Sequence, residues 1–117
     1  LHLKVRVLEK AGGTVTGVTP EGLRIRIAGL EGVEAGREVV VLLRPERVRV
    51  IAEPSGLANS FAAMVKTTSY LGSSIVYALD VDGLGLIAQV GNTDDAAFEE
   101  GARVTVEWNE HDVVAHH

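Results

Sequence analysis

Histidine side chains are the first candidates for chemistry in this sequence, because neutral imidazole is a good metal ligand. The four histidines are His2, His111, His116 and His117. One stands at the start of the chain and three near its end, so their spacing favours exposed terminal residues over a metal centre. The chain contains no cysteine, which excludes disulfides, thiolate–zinc sites and cysteine nucleophiles. We therefore expect neither a metal nor any other cofactor.

Paired carboxylates could in principle serve acid–base catalysis or hold a cation. Neighbouring residues on a strand point to opposite faces, and the pairs of this chain fall in segments typical of turns, where solvation is easy. We interpret them as solubilising charge. The pairs are Asp80 and Asp82, Asp94 and Asp95, and Glu99 and Glu100.

Other catalytic and binding signatures are missing from the sequence. A phosphate-binding loop needs glycines followed by Lys-Ser or Lys-Thr at the start of a helix, whereas Gly83 and Gly85 follow a predicted hairpin. Ser69, Ser73 and Ser74 have no elbow motif and no paired histidine. The net charge of −5 opposes binding to polyanions. We expect no enzyme activity from this chain and no nucleic-acid partner.

The elements that must position any site are predicted to be strands. Apolar residues alternate with charged ones at Leu3–Val7 and again at Leu23–Ile27, which is typical of half-buried strands. The continuous apolar run Val39–Leu43 predicts a strand covered on both faces. Asp82-Gly83 predicts a two-residue hairpin turn, and a short helical turn is expected around Ala96–Phe98. No apolar run approaches the length of about 20 residues that a membrane-spanning helix needs.

The two halves of the sequence have similar patterns. Aligning Gly36 with Gly101 places Val39 and Val41 opposite Val104 and Val106, and it also pairs Val48 with Val113. This predicts a duplicated small β-unit. We expect an all-β fold of two small OB-like barrel units packed together, residues 1–54 and 55–117, although a β-sandwich would give a similar pattern.

Three ordered stretches resemble one protein family. Val41–Val50, which contains Arg44-Pro45-Glu46, resembles the "RPE" signature of the TOBE (transport-associated OB) region of ABC-importer ATPases. Val65–Val90 resembles the segment that follows it, with Tyr70-Leu71-Gly72-Ser73 at its corner. Gly101–Trp108 matches the closing "G-x-x-V-x-v-x-W" of the same region.

The resemblance implies a C-terminal accessory region from an importer ATPase of the polyamine, iron and sugar group. The ATPase domain would precede this chain in the parent protein, and ATP hydrolysis would belong to that domain. Such regions lie on the cytoplasmic side, peripheral to the inner membrane, and regulate transport. The implied partners are the ATPase domain, a two-fold mate and, indirectly, the membrane permease. The residues we assign to an interaction surface are Arg44, Pro45, Glu46, Tyr70 and Gly72.

Two other functions remain open at the level of sequence. A small-oxyanion binder of the molybdate type would share the duplicated barrel, and it needs converging backbone N–H groups and a positive site. Only Asn59-Ser60 resembles the "S-A-R-N" opening of that class. An OB-fold nucleic-acid binder is disfavoured, because it would need exposed aromatic platforms along a basic groove.

Overall fold

The computed structural model describes residues 1–30, 32–92 and 97–116. In this part of the chain, no helix has the length and hydropathy to cross a membrane. A single 3₁₀ turn, Pro45–Arg47, interrupts a succession of strands in the described residues. The strands are β1 His2–Ala11, β2 Thr14–Val18, β3 Arg24–Ala28, β4 Glu38–Leu43, β5 Arg49–Ile51, β6 Asn59–Leu71, β7 Ser74–Val81, β8 Leu84–Gly91, β9 Arg103–Trp108 and β10 Val113–His116.

The first compact unit comprises Leu1–Leu43 and Asn109–His117. Its antiparallel sheet has the order β10-β4-β1-β2-β3. The alternating apolar residues of β1, β3 and β4 line the interior, where Ile25, Ile27 and Val41 are fully buried. Val40 and Leu42 are only half-buried, so β4 is less covered on its outer face than its continuous apolar run predicted.

The second unit comprises Arg44–Trp108. Its sheet has the order β5-β9-β6-β7-β8 and is also antiparallel throughout. β5 also approaches β8, so the sheet curls towards closure. The two curled five-stranded sheets confirm the predicted pair of small OB-like barrel units.

The two sheets have the same strand order once the chain is divided into repeats. β4 and β9 occupy equivalent places, as expected from the alignment of Gly36 with Gly101. The fifth strands, however, are exchanged between the repeats. β5 follows β4 in sequence but pairs with β9 through Arg49↔Glu107, whereas β10 follows β9 but pairs with β4 through Val113↔Leu43.

This exchange gives units that differ from the predicted ranges 1–54 and 55–117. The first unit ends at Leu43 and is completed by the last residues of the chain. The physical reason is the pairing of β10 with β4, which adds Val113–His116 to the sheet of the first unit. Periodicity identifies a strand but carries no information about its partner.

The β7–β8 hairpin has the turn that the sequence predicts. Val81 pairs with Leu84, which leaves Asp82 and Gly83 as the two loop residues. Both have positive φ, 49° and 95°. Asp and Gly tolerate this conformation, which matches the right-handed twist of the flanking strands. The hairpin prediction is confirmed.

Gly17 on β2 is expected to be essential to the packing of the first unit. A Cβ at this position would lie 3.0 Å from Val5 Cβ and 3.4 Å from a backbone oxygen. We expect Gly17→Ala to lower the free energy of unfolding by about 1–3 kcal/mol through overpacking. Gly85→Ala is the matched control, because that strand glycine has ordinary φ and open space around it. Urea unfolding of both variants tests this, and equal stabilities would contradict it.

Candidate interaction surface

The Arg44-Pro45-Glu46 motif forms the entrance to a 3₁₀ turn. Proline suits this position, since its φ is fixed near the required value and its missing N–H would have no partner there. The turn closes with hydrogen bonds from Arg47 N–H to Arg44 O (3.0 Å) and from Val48 N–H to Pro45 O (3.3 Å). Arg44 and Glu46 are exposed, Pro45 is half-buried, and the turn contacts β8. The turn therefore presents two opposite charges on a short segment that is held by two backbone hydrogen bonds.

The end of the β6–β7 hairpin presents an exposed apolar pair. Tyr70 and Leu71 have exposed fractions of 64% and 62%, the largest among the exposed apolar residues of the described chain. Gly72 has φ +63°, which lets the chain reverse in two residues before Ser74. Asn92 fixes this turn by donating from Nδ2 to Gly72 O at 3.1 Å. Tyr70 and Leu71 thus lie at the end of a well-supported hairpin.

The structure places the two predicted groups in the same unit but on different elements. Tyr70 belongs to the end of β6 rather than to the turn itself, because β6 continues to Leu71. Pro45 lies in the turn against β8. We name Arg44, Pro45 and Glu46 the RPE turn, and Tyr70, Leu71 and Gly72 the hairpin tip. Together they are the candidate surface.

The segment around Phe98 is held by hydrogen bonds rather than by a helix. The Phe98 N–H donates to the Tyr77 hydroxyl at 3.0 Å, and the Thr68 hydroxyl donates to Phe98 O at 2.9 Å. Tyr77 is buried, and its ring lies 6.2 Å from that of Phe98. The helical turn predicted at Ala96–Phe98 is not formed at 97–98, and Ala96 lies outside the described residues.

The second unit contains a buried carboxylate that the sequence patterns did not indicate. Glu107 on β9 is fully buried and accepts hydrogen bonds from the Ser55 N–H (2.9 Å), the Ser55 hydroxyl and the Ser60 hydroxyl (2.8 Å). The hydrogen bond from the Ser55 hydroxyl is the main cause that holds the pKa of Glu107 below its ordinary value of 4.5, while burial acts to raise it. The Ser55 and Gly56 N–H groups and the Ser60 hydroxyl add to the lowering.

Glu107 therefore anchors the loop between β5 and β6. By strand parity Glu107 and Thr105 lie on the face opposite Val104, Val106 and Trp108, where solvent exposure was the simplest expectation. Glu107 is instead bonded by Ser55 of this loop and by its cross-strand neighbour Ser60 on β6. The signal available in the sequence was the pair Ser55 and Ser60 around Gly56, which could supply hydroxyl and N–H donors to one acid.

Of the other residues with possible chemistry, Asp80 and Asp82 line one pocket of about 300 Å³ together with Arg103. His111 is exposed and lies 3.9 Å from the Glu110 carboxylate, whereas His2 is on β1. Among residues 1–30, 32–92 and 97–116 no three His, Asp or Glu side chains could hold a metal ion together. Asp94, Asp95 and His117 lie outside the described residues.

Residues 41–115 match the family model of the TOBE domain. Two curated relatives are both described as spermidine/putrescine import ATP-binding protein PotA. That from Lawsonia intracellularis is 38% identical over 79 residues, which are 62% of this chain and 22% of the relative. That from Nitrosospira multiformis is 32% identical over 110 residues, 81% of this chain and 30% of the relative. The chain thus spans less than a third of either relative.

Among solved structures, the cytoplasmic molybdate-binding protein ModG superposes with a TM-score of 0.84. The alignment covers 98% of this chain and 94% of ModG at 19% sequence identity, which shows a shared fold. The family model covers the RPE turn, the hairpin tip and β9, all in the order noted in the sequence. The chain therefore belongs to the TOBE domain family.

Proposed function

We propose that this chain is the non-catalytic, regulatory C-terminal region of the ATP-binding subunit of an ABC importer. The observation that carries the proposal is the TOBE match over residues 41–115, together with two relatives described as spermidine/putrescine import ATP-binding proteins. Its partners would be the ATPase domain of the same parent chain and a second copy of that subunit. Through them it would act on the membrane permease from the cytoplasmic side.

The candidate surface supplies the contact chemistry for this role. Tyrosine is enriched at protein interfaces, since it buries a large apolar ring at low entropy cost and keeps a polar end. Tyr70 and Leu71 are the most exposed large apolar side chains of the second unit among its described residues. The RPE turn adds an exposed cation and anion, which contribute orientation more than affinity. We assign the hairpin tip as the main anchor.

Calorimetric titration of the chain with the ATPase domain of a PotA-type subunit tests this assignment. We expect Tyr70→Ala to weaken binding by about tenfold or more, as for an aromatic interface anchor. Val114→Ala is the matched control, because Val114 is also exposed (55%) but lies in the first unit. Equal effects of the two substitutions, or no binding by the wild-type chain, would contradict the proposal.

Oxyanion binding of the molybdate type is the competing function, because ModG shares the fold. The structure offers a physical reason against such binding at the Ser55–Ser60 loop. Its donors, the Ser55 N–H and the Ser55 and Ser60 hydroxyls, already point at the Glu107 carboxylate. A second anion there would face a buried negative charge.

We accordingly expect no binding of molybdate at this loop in the wild-type chain. Calorimetry with molybdate, and with sulfate as a control oxyanion, measures this directly. A micromolar dissociation constant for molybdate that Ser60→Ala abolishes would reverse the ranking of the two functions. A chain that binds neither oxyanion is the expected result.

A further inference from the structure

A pocket of about 440 Å³ opens on the first unit beside the beginning of β1. β1 pairs with β4 from His2 onwards, whereas its pairing with β2 begins only at Arg6↔Val18. The edge of β1 that faces β2 is therefore left open at residues 2–5. The pocket lies at this open edge. Its volume is within the range of small-molecule sites.

The turn after β2 creates the opening. Thr19 N–H bonds to Leu23 O, and Gly22 N–H bonds to Thr19 O, so both donors are used inside the turn. Pro20 has no N–H to offer to β1. The chain therefore leaves β1 after Val18 instead of extending the ladder. Val18 and Pro20 remain as an apolar wall of the pocket.

Backbone groups of Lys4 are turned towards this opening. Leu1 and Val7 direct their backbone groups to the β4 side, since Leu1 O accepts from Leu43 N–H and Val7 bonds to both Arg37 O and Gly36 N–H. Hydrogen-bonding direction alternates along an antiparallel strand, so the even-numbered Lys4 faces the other way. Among the described residues, no hydrogen bond links Lys4 N–H to the β2–β3 turn.

Two cations lie at the same opening. Lys4 and Arg6 line it with exposed side chains, and neither forms an ion pair within the described residues. Glu38, the cross-strand neighbour of Arg6, is the single acid among the lining residues. The pocket thus combines an excess of positive charge, an open backbone donor and an apolar wall.

We propose that this pocket binds a small organic carboxylate with a short apolar body. The carboxylate lies between Lys4 and Arg6 within reach of the Lys4 N–H, and the apolar body packs on Val18 and Pro20. Charge-assisted hydrogen bonds to the carboxylate provide the orientation. This site shares no residue with the candidate surface and does not depend on the role proposed for that surface, so either proposal can fail without the other.

Amide chemical-shift titration with isobutyrate tests the site, with isobutyramide as the uncharged probe of the same shape. We expect isobutyrate to shift the resonances of Val5, Val18 and Thr19, and to bind at least about fivefold more tightly than isobutyramide. Lys4→Gln and Arg6→Gln should each weaken isobutyrate binding by about fivefold, and Glu38→Gln should strengthen it.

Arg24→Gln is the matched control. Arg24 is an exposed cation opposite Val18 but is not part of the pocket lining, so its loss should change the dissociation constant by less than about twofold. Thermal unfolding of each variant checks that the fold is retained. Equal binding of the two probes, shifts that avoid the pocket, or an effect of Arg24→Gln as large as that of Lys4→Gln would overturn the proposal.

Discussion

Replacing Trp108 with alanine is expected to lower the free energy of unfolding by about 3–5 kcal/mol, the usual cost of deleting a large buried aromatic ring. Trp108 is fully buried at the end of β9, and its ring lies 5.5 Å from that of Phe61. The alanine side chain would leave a cavity against Phe61. Urea unfolding followed by circular dichroism measures the effect without relying on the fluorescence of the single tryptophan.

Two further variants separate ring burial from other contributions. Trp108→Phe should cost less than Trp108→Ala, because it keeps an aromatic ring and the indole N–H has no hydrogen-bond partner among the described residues. Tyr70→Ala removes an exposed ring and should change stability by less than about 0.5 kcal/mol. A loss below about 1 kcal/mol for Trp108→Ala would contradict the assignment of Trp108 to the core.

The second large effect is expected at Glu107. Glu107→Ala removes a fully buried carboxylate together with its hydrogen bonds from Ser55 and Ser60. Hydrogen bonds to a charged acceptor contribute more to stability than those between neutral groups, so we expect the melting temperature at pH 7 to fall by about 10 °C. Glu107→Gln should also destabilise the chain, because its NH₂ group cannot accept the hydrogen bonds that the carboxylate receives.

The pH dependence provides a separate signature of the same group. The folded-state pKa of Glu107 lies below its unfolded value of about 4.5, mainly because of the Ser55 hydroxyl. The ionised Glu107 side chain therefore stabilises the folded state fully above pH 4.5, and this stabilisation is lost as the pH falls through the folded-state pKa. Glu107→Gln should therefore flatten the acid limb of the stability curve relative to that of the wild-type chain. Identical acid limbs in the wild-type chain and Glu107→Gln would contradict this role.

Local features of the fold could be predicted from sequence because they depend on neighbouring residues. The Asp82-Gly83 hairpin and the alternating strand Leu23–Ile27 are of this kind. The exchange of β5 and β10 could not be predicted. Each of these short strands could pair with β4 or with β9, whose edges are similar. The repeat made that choice ambiguous, because Val48 and Val113 stand in equivalent sequence contexts.

The candidate site was predictable to a different extent. The RPE turn and the hairpin tip were found through their resemblance to a family, and the structure shows Arg44, Glu46 and Tyr70 exposed. The Glu107 anchor was missed because Ser55 and Ser60 lie far from Glu107 in the sequence, and strand alternation does not show which residues bond to a given side chain. The open edge of β1 was missed because it depends on where the hydrogen bonding between β1 and β2 ends. Pro20 indicates a turn but does not fix that end point.

The most direct test of the proposed regulatory function is steady-state ATP hydrolysis by the ATPase domain of a PotA-type subunit, measured with and without this chain. The chain alone should show no hydrolysis. Added to the ATPase domain, the wild-type chain should change the rate in a saturable way, and Tyr70→Ala should shift the midpoint to a concentration about tenfold higher. A rate that is unchanged at all concentrations of a folded wild-type chain would contradict the proposed regulatory function.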